Sequence, residues 1–193
     1  MARPREFDSG AALESAMQVF WAKGYEATSV DDLCLATGLG RSSLYAAFGD
    51  KRRLYLRSLD RYEDAGVARI AKALAKPPLR KALAAFFDRV ISDIVAGPGR
   101  SGCFIGNCAA ELAGGDRAAA ARVRRSLERI QATFRDALAR ARVRGEIAAD
   151  ADVDALARFL VAGTQGLRLI GKTKPERAAL DDIAAVMLNC LRA

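Results

Sequence analysis

The chain has 193 residues, with 31 basic and 23 acidic side chains, a formal net charge of +8 and no histidine. This length is ample for a buried core, and the missing imidazole excludes histidine-based acid/base catalysis, histidine-activated nucleophiles and histidine-ligated zinc. Apolar residues make up 51% of the chain, but 40 of them are alanine, which favours helices without demanding a membrane.

In chain order, almost every segment carries helical spacing and none alternates as a strand. A first helix is predicted from Ser9 to Lys23, with Leu13, Ala16, Met17, Phe20 and Trp21 on one face and Gly24 ending it. Thr28 or Ser29 caps a second, Val30 to Ala36, whose Asp31 and Asp32 suit the positive helix start. Gly38-Leu39-Gly40 is a tight turn, and a short third helix runs from Arg41 to Phe48. Gly49-Asp50 breaks and caps again, opening a fourth helix from Lys51 to about Ala75.

Pro77-Pro78 precedes a fifth helix carrying Leu79, Leu83, Phe86, Phe87, Val90, Ile91 and Ile94, and Gly97-Pro98-Gly99 follows it. A short sixth spans Cys103 to Leu112. The seventh, before Gly145, repeats Val123, Leu127, Ile130, Phe134, Leu138 and Ala141 at steps of three and four. Asp150 or Asp152 starts an eighth that reaches Gly171. Pro175 is expected just inside the start of a ninth, with Leu180, Ile183, Val186, Met187 and Leu191 on one face. The fold class is therefore all-α, with about nine helices.

The cysteines, Cys34, Cys103, Cys108 and Cys190, form no CxxC pair, and free thiols in a reducing cytoplasm are expected. MARPREFDSG has no apolar signal core, and Asp154, Arg158, Gln165 and Arg168 interrupt the most apolar late stretch, so neither secretion nor a membrane span is expected. Residues 1–57 carry eight basic against seven acidic side chains. Residues 117–144 carry nine arginines against Glu128 and Asp136, where a solvated helix face is the expectation. Net charge alone therefore does not establish DNA binding.

The first three helices do carry that signal, because a glycine-centred turn between the second and third gives helix-turn-helix geometry. Arg41, Ser42, Ser43 and Ala47 fall on the exposed side of the third helix, while Leu44 and Phe48 face inward. Arg41 is a potential guanine reader, Tyr45 offers a hydroxyl to a phosphate, and Lys51 adds charge at a helix start. The run Val19-Phe20-Trp21-Ala22-Lys23-Gly24-Tyr25-Glu26-Ala27-Thr28-Ser29-Val30 resembles the opening of a TetR-family transcriptional regulator. Thr37-Gly38-Leu39-Gly40-Arg41-Ser42-Ser43-Leu44-Tyr45-Ala46-Ala47-Phe48-Gly49-Asp50-Lys51 resembles that family's recognition helix and the start of its fourth helix.

The resemblance implies a homodimeric DNA-binding protein on a palindromic operator, usually a repressor released by a small molecule. It divides the chain into a DNA-binding domain, 1–50, and a ligand-binding and dimerisation domain, 51–193. Thr28, Arg41, Ser42, Ser43, Tyr45 and Lys51 inherit DNA-contact roles, whereas Ala47 departs from the larger polar residue some members carry. Arg3 and Arg5 suit either a minor-groove arm or a non-contacting tail.

For the remainder, the resemblance implies a pocket within the fourth to eighth helices and a dimer seam from the last two. Leu156, Phe159, Gly163, Gly166, Leu167, Ile183 and Met187 fit the seam; Gly163 and Gly166 suit either close helix approach or room for a ligand. Phe86, Phe87, Val90, Cys103, Phe104, Asn107, Phe134, Leu160, Thr164 and Gln165 are candidate pocket residues, with Asn107 and Gln165 as polar anchors. At helical spacing the same residues also fit plain core. Gly102 to Leu112 resembles a sixth-helix signature of a TetR subset, some of whose members respond to electrophiles through a cysteine near this helix start. Cys103, near helix amides and Arg100, suits that role or simple packing. No phosphate loop or carboxylate cluster calls for a nucleotide, metal or other cofactor. The competing readings are an activator of the same fold, a helical interaction protein with a vestigial motif, and an enzyme on a helical scaffold; no convergent acid/base set supports the last.

Overall fold

In the computed structural model, residues 8–97 and 101–191 are described, and they form nine helices and no strand. Arg3, Arg5 and Arg100 lie outside the described residues. Carboxylates and one hydroxyl fix most helix starts by accepting orphan amides. Asp8 accepts from Gly10 and Ala11 and opens α1 (Ser9–Lys23). Ser29, rather than Thr28, forms a reciprocal box with Asp32 at the head of α2 (Val30–Thr37). α3 (Arg41–Phe48) follows the Gly38 turn, and Asp50 accepts the Arg53 amide to start α4 (Lys51–Ala73).

Then come α5 (Leu79–Ala96) and α6 (Phe104–Glu111). Asp116 caps α7 (Arg117–Val143) and Asp152, not Asp150, caps α8 (Val153–Thr173). α9 (Arg177–Asn189) has Glu176 at its cap, so Pro175 lies outside the helix that it was expected to begin. The reason is local: a residue before proline is pushed out of the helical region, and Lys174, at φ −137°, terminates α8 instead.

Two apolar cores hold the helices. One gathers Ile70 and Leu74 with α5, the second half of α7, α8 and α9. The other gathers α1, α2, α3 and the first half of α4, and it also takes in Cys103, Phe104, Ile105 and Cys108 of α6 and Ala119 and Val123 of α7. The core of the first three helices thus continues into residues well beyond 50. Most arginines at 117–144 are solvent-exposed, as expected, but three of them also reach across to α4. Arg122 and Arg125 pair with Asp60 at 3.1 and 2.5 Å. Arg129 pairs with Glu63 at 2.6 Å and Asp64 at 2.8 Å. The Glu63 side chain is buried (1% exposed) and Arg125 also reaches it at 3.3 Å. A charge buried to that degree persists only when paired, so these contacts fix α7 against α4.

Candidate nucleic-acid interface

α3 is held from behind. Leu44 and Phe48 are buried, as their spacing predicts, and Leu33 of α2 joins the same core. The Thr37 hydroxyl donates to the Leu33 carbonyl at 2.7 Å and accepts the Leu39 amide at 3.3 Å, which shapes the turn around Gly38 at φ +69°. At the other end the Arg57 guanidinium lies 4.9 Å from the Phe48 ring centroid and donates to the Ala47 carbonyl at 3.3 Å. That contact satisfies one of the orphan carbonyls at the end of α3 and tethers it to α4.

The opposite face of α3 is open. Arg41, Ser42, Ser43 and Tyr45 are exposed, and Ala47 is half-buried. Arg41 is not free, however: its guanidinium meets Asp31 of α2 through three hydrogen bonds of 2.8 to 3.1 Å, and that contact raises its already high pKa further. The Lys51 ammonium sits 4.4 Å over the Tyr25 ring at the head of α4. Thr28 behaves differently from the expectation for a DNA contact. It is 1% exposed and its hydroxyl donates to the Gly24 carbonyl at 2.6 Å, so its side chain shapes the loop before α2.

α6 joins this interface to the rest of the chain. The Trp21 indole donates to the Gly102 carbonyl at 3.2 Å. At the far end of α6 the Glu111 carboxylate accepts the Tyr25 and Glu26 amides at 3.0 and 2.8 Å. Gly24 has φ +85°, and a Cβ there would stand only 3.0 Å from Glu111, so glycine serves both the turn and the close approach. Between these ends, Phe104 meets Tyr55 and Tyr62 edge-on at 5.4 and 5.7 Å. Burial pushes the Tyr55 and Tyr62 phenols up, and their hydroxyls lie against the Cys108 and Cys103 thiols; burial likewise pushes the Cys108 thiol up.

The candidate pocket residues fall into separate groups. Phe86, Phe87, Val90, Phe134 and Leu160 share the C-terminal core, where Phe86 and Phe134 touch at 5.8 Å. Cys103 and Phe104 belong to the other core. Asn107 links α6 to α8: its amide donates to the Ser101 carbonyl at 2.8 Å and its oxygen accepts from Lys172 at 3.3 Å. Gln165 also faces α6, at Gly106, while the buried Thr164 hydroxyl is satisfied by the Leu160 carbonyl at 2.7 Å.

Of the candidate seam residues, Phe159, Gly163, Ile183 and Met187 line an apolar groove of about 410 Å³ between α8 and α9. Val186, 63% exposed, and Asp182 complete its lining. Leu156 is partly buried against the C-terminal core. Leu167 is fully buried inside its own subunit and does not reach the groove. Gly163 lies under Met187 of its own chain, whereas Gly166 has open space beside it.

Sequence reasoning did not single out Trp21, Asp31, Tyr55, Tyr62, Glu111 or Asp116 as contact residues, since their partners are not sequence neighbours. Among the described residues, no helix is long and apolar enough to cross a membrane.

Comparison with known proteins agrees with this architecture. Residues 12–57 match the family described as bacterial regulatory proteins, tetR family, and residues 78–187 match the tetracyclin repressor-like C-terminal domain. The chain is 34% identical to the HTH-type transcriptional repressor ComR of Escherichia coli, covering 98% of this chain and 90% of ComR. It is 32% identical to the HTH-type regulator YezE of Bacillus subtilis, over 99% and 100% of the two chains. A cysteine mutant of the TetR-family regulator CifR, complexed with 26-bp double-strand operator DNA, superposes with a TM-score of 0.84 at 30% identity, covering 97% of this chain and 98% of CifR. With matched models over both halves and a helix-turn-helix of this geometry, the chain belongs to the TetR family of DNA-binding transcriptional regulators.

Proposed function

We propose that the protein is a dimeric repressor that places the α3 helices of its two subunits in successive major grooves of a palindromic operator and lets go when a small apolar or electrophilic effector acts on the helical domain. The observation that carries the reading is the division of α3 itself. Leu44 and Phe48 anchor it while Arg41, Ser42, Ser43 and Tyr45 stand clear on one face. A helix docked in a groove needs that division. The apolar groove of Phe159, Gly163, Ile183, Val186 and Met187 supports a second copy of the chain at α8 and α9, and the relatives named as repressors support the direction of control. Members of the family are regulators rather than enzymes.

Release through α6 is supported by the contacts of Glu111 with the Tyr25 and Glu26 amides and of Gly102, just ahead of α6, with Trp21, because an effector that displaces α6 disturbs α1 and the loop before α2. An electrophile with an activated double bond would add to Cys103, forming a sulfur–carbon bond while the thiol proton ends on the neighbouring carbon. Cys103 is buried at 7% exposure, so an adduct on its sulfur obliges the side chains around it to repack.

The test is a salt-dependent shift assay on the DNA upstream of the protein's own gene. Arg41→Ala is expected to cost about 1–3 kcal/mol and relax one base position per half-site; Lys51→Ala weakens all sequences alike and flattens the salt slope. With N-ethylmaleimide, the unmodified chain releases the DNA and Cys103→Ser holds it. An Arg41→Ala protein with unchanged affinity and preference would refute the docking of α3.

A further inference from the structure

α2 and α3 meet near their N-terminal ends through one ion pair, and its geometry is selective. Asp31 Oδ1 accepts from Arg41 Nε at 3.1 Å and from Nη2 at 2.8 Å, while Oδ2 accepts from Nη2 at 2.8 Å. Both side chains are well exposed, 64% for Arg41 and 72% for Asp31, so packing does not force them together. The carboxylate occupies the side-on edge of the guanidinium, and among the described contacts Nη1 bonds to nothing. A guanidinium carries five donors in a rigid fork, so holding one edge aims the other.

Two consequences follow for a helix in a major groove. A mobile arginine grips any phosphate oxygen, whereas one held by its Nε edge offers its Nη1 end to a fixed point. Guanine presents two acceptors, O6 and N7, at such a point. A carboxylate on a DNA-facing surface also repels the phosphate backbone, which weakens binding to every sequence. Asp31 therefore works against affinity in general, and its position is explained if it contributes to discrimination instead.

We propose that Asp31 is a specificity-determining residue of the DNA interface: it presents the free end of Arg41 to a guanine and denies that guanidinium to the phosphates. This rests on Arg41 as the base reader.

The experiment uses the full-length protein and duplexes selected by it from a randomised library. Fluorescence anisotropy then measures affinity for the selected duplex, for its single-base variants and for a non-specific duplex of equal length. Asp31→Asn, nearly isosteric, is expected to bind the non-specific duplex more tightly. It should also lose about fivefold or more of the discrimination at one guanine per half-site. Asp31→Glu keeps the charge but moves the carboxylate, so it should lose discrimination without tightening non-specific binding. In an Arg41→Ala background, Asp31→Asn should alter preference at no position. If Asp31→Asn tightens every duplex by the same factor and leaves all preferences unchanged, while Arg41→Ala abolishes the guanine preference, the proposal is overturned and Arg41 remains a reader. If Arg41→Ala itself leaves the guanine preference intact, the base-reading role fails and the proposal fails with it.

Discussion

The carboxylate of Glu111, the last residue of α6, accepts the backbone amide of Tyr25 at 3.0 Å, 86 residues earlier in the chain. Its second oxygen takes the Glu26 amide at 2.8 Å, so one side chain satisfies two consecutive donors of the loop that leads into α2. A helix of the tetracyclin repressor-like C-terminal region thereby grips the loop of the helix-turn-helix region directly.

Glu111→Ala removes both acceptors. The amides lie near the surface and recover water, so the expected loss of stability is modest, about 1 kcal/mol. The larger expected effect is on DNA, because the loop no longer has one fixed position relative to α6. Urea unfolding measures the first quantity and anisotropy with operator DNA the second. A variant that lost stability but kept full affinity would show that Glu111 is a fastener without a role in coupling.

Two carboxyls predict how the protein responds to acid. The Arg52 guanidinium, together with the Ala119 and Ala118 amides, holds Asp116 down at about 2, and the Lys23 ammonium with Ser29 does the same for Asp32. In the unfolded chain both return to about 3.9. Folded-state values below the unfolded one mean that the stabilisation is present above pH 4 and is lost as pH falls toward 2. Urea midpoints of the unmodified chain should therefore drop between pH 4 and 2. Asp116→Asn should show a shallower drop, and an equal slope in the two proteins would contradict the pairing.

Glycines on α8 separate packing from propensity. At Gly171 a Cβ would stand 2.5 Å from Ile94 Cγ2, in a core where Ile94 is fully buried and branched. Alanine there should gain about 1 kcal/mol of helix propensity but lose about 1–3 kcal/mol to overpacking. At Gly166 nothing stands within 4 Å. Gly166→Ala is expected to raise the thermal midpoint at a concentration where the protein is monomeric, and Gly171→Ala to lower it.

The apolar groove between α8 and α9 predicts the assembly. Val186 is 63% exposed, so Val186→Glu should leave the monomer fold intact. Sedimentation should show monomers, and operator binding should weaken sharply because the two half-sites are then engaged independently. A fully dimeric Val186→Glu protein would put the seam on another face.

The elements were legible because their determinants are local. Asp50 lies one residue ahead of its helix, as Ser29 and Asp152 do of theirs, and the apolar steps along α7 name its buried face. The inward Leu44 and Phe48 and the outward Arg41 were readable for the same reason. Phe104 was not: helical spacing says that it is buried, but only the tertiary fold decides that it packs on Tyr55 and Tyr62 rather than on Phe86 and Phe134. The burial of Thr28 was not legible either, because its hydroxyl finds a carbonyl four residues back. The α4–α7 pairing did leave a trace. Asp60, Glu63 and Asp64 crowd about one turn of α4, opposite Arg122, Arg125 and Arg129 at steps of three and four on α7, a complementarity visible only when the two helices are compared with each other.

The aromatic junction of Tyr55, Tyr62 and Phe104 also bears on engineering. A hybrid regulator made by splicing this reading head onto a foreign sensor would, if cut after α4, expose the faces of Tyr55 and Tyr62 that Phe104 now covers. It would also take away the carboxylate that accepts the Tyr25 and Glu26 amides and holds their loop. The transplantable unit is discontinuous: α1, α2, α3 and the first half of α4 together with α6 and the opening turns of α7, which share one core. A graft that respects that unit inherits its wiring; one that follows the linear order of the chain severs it.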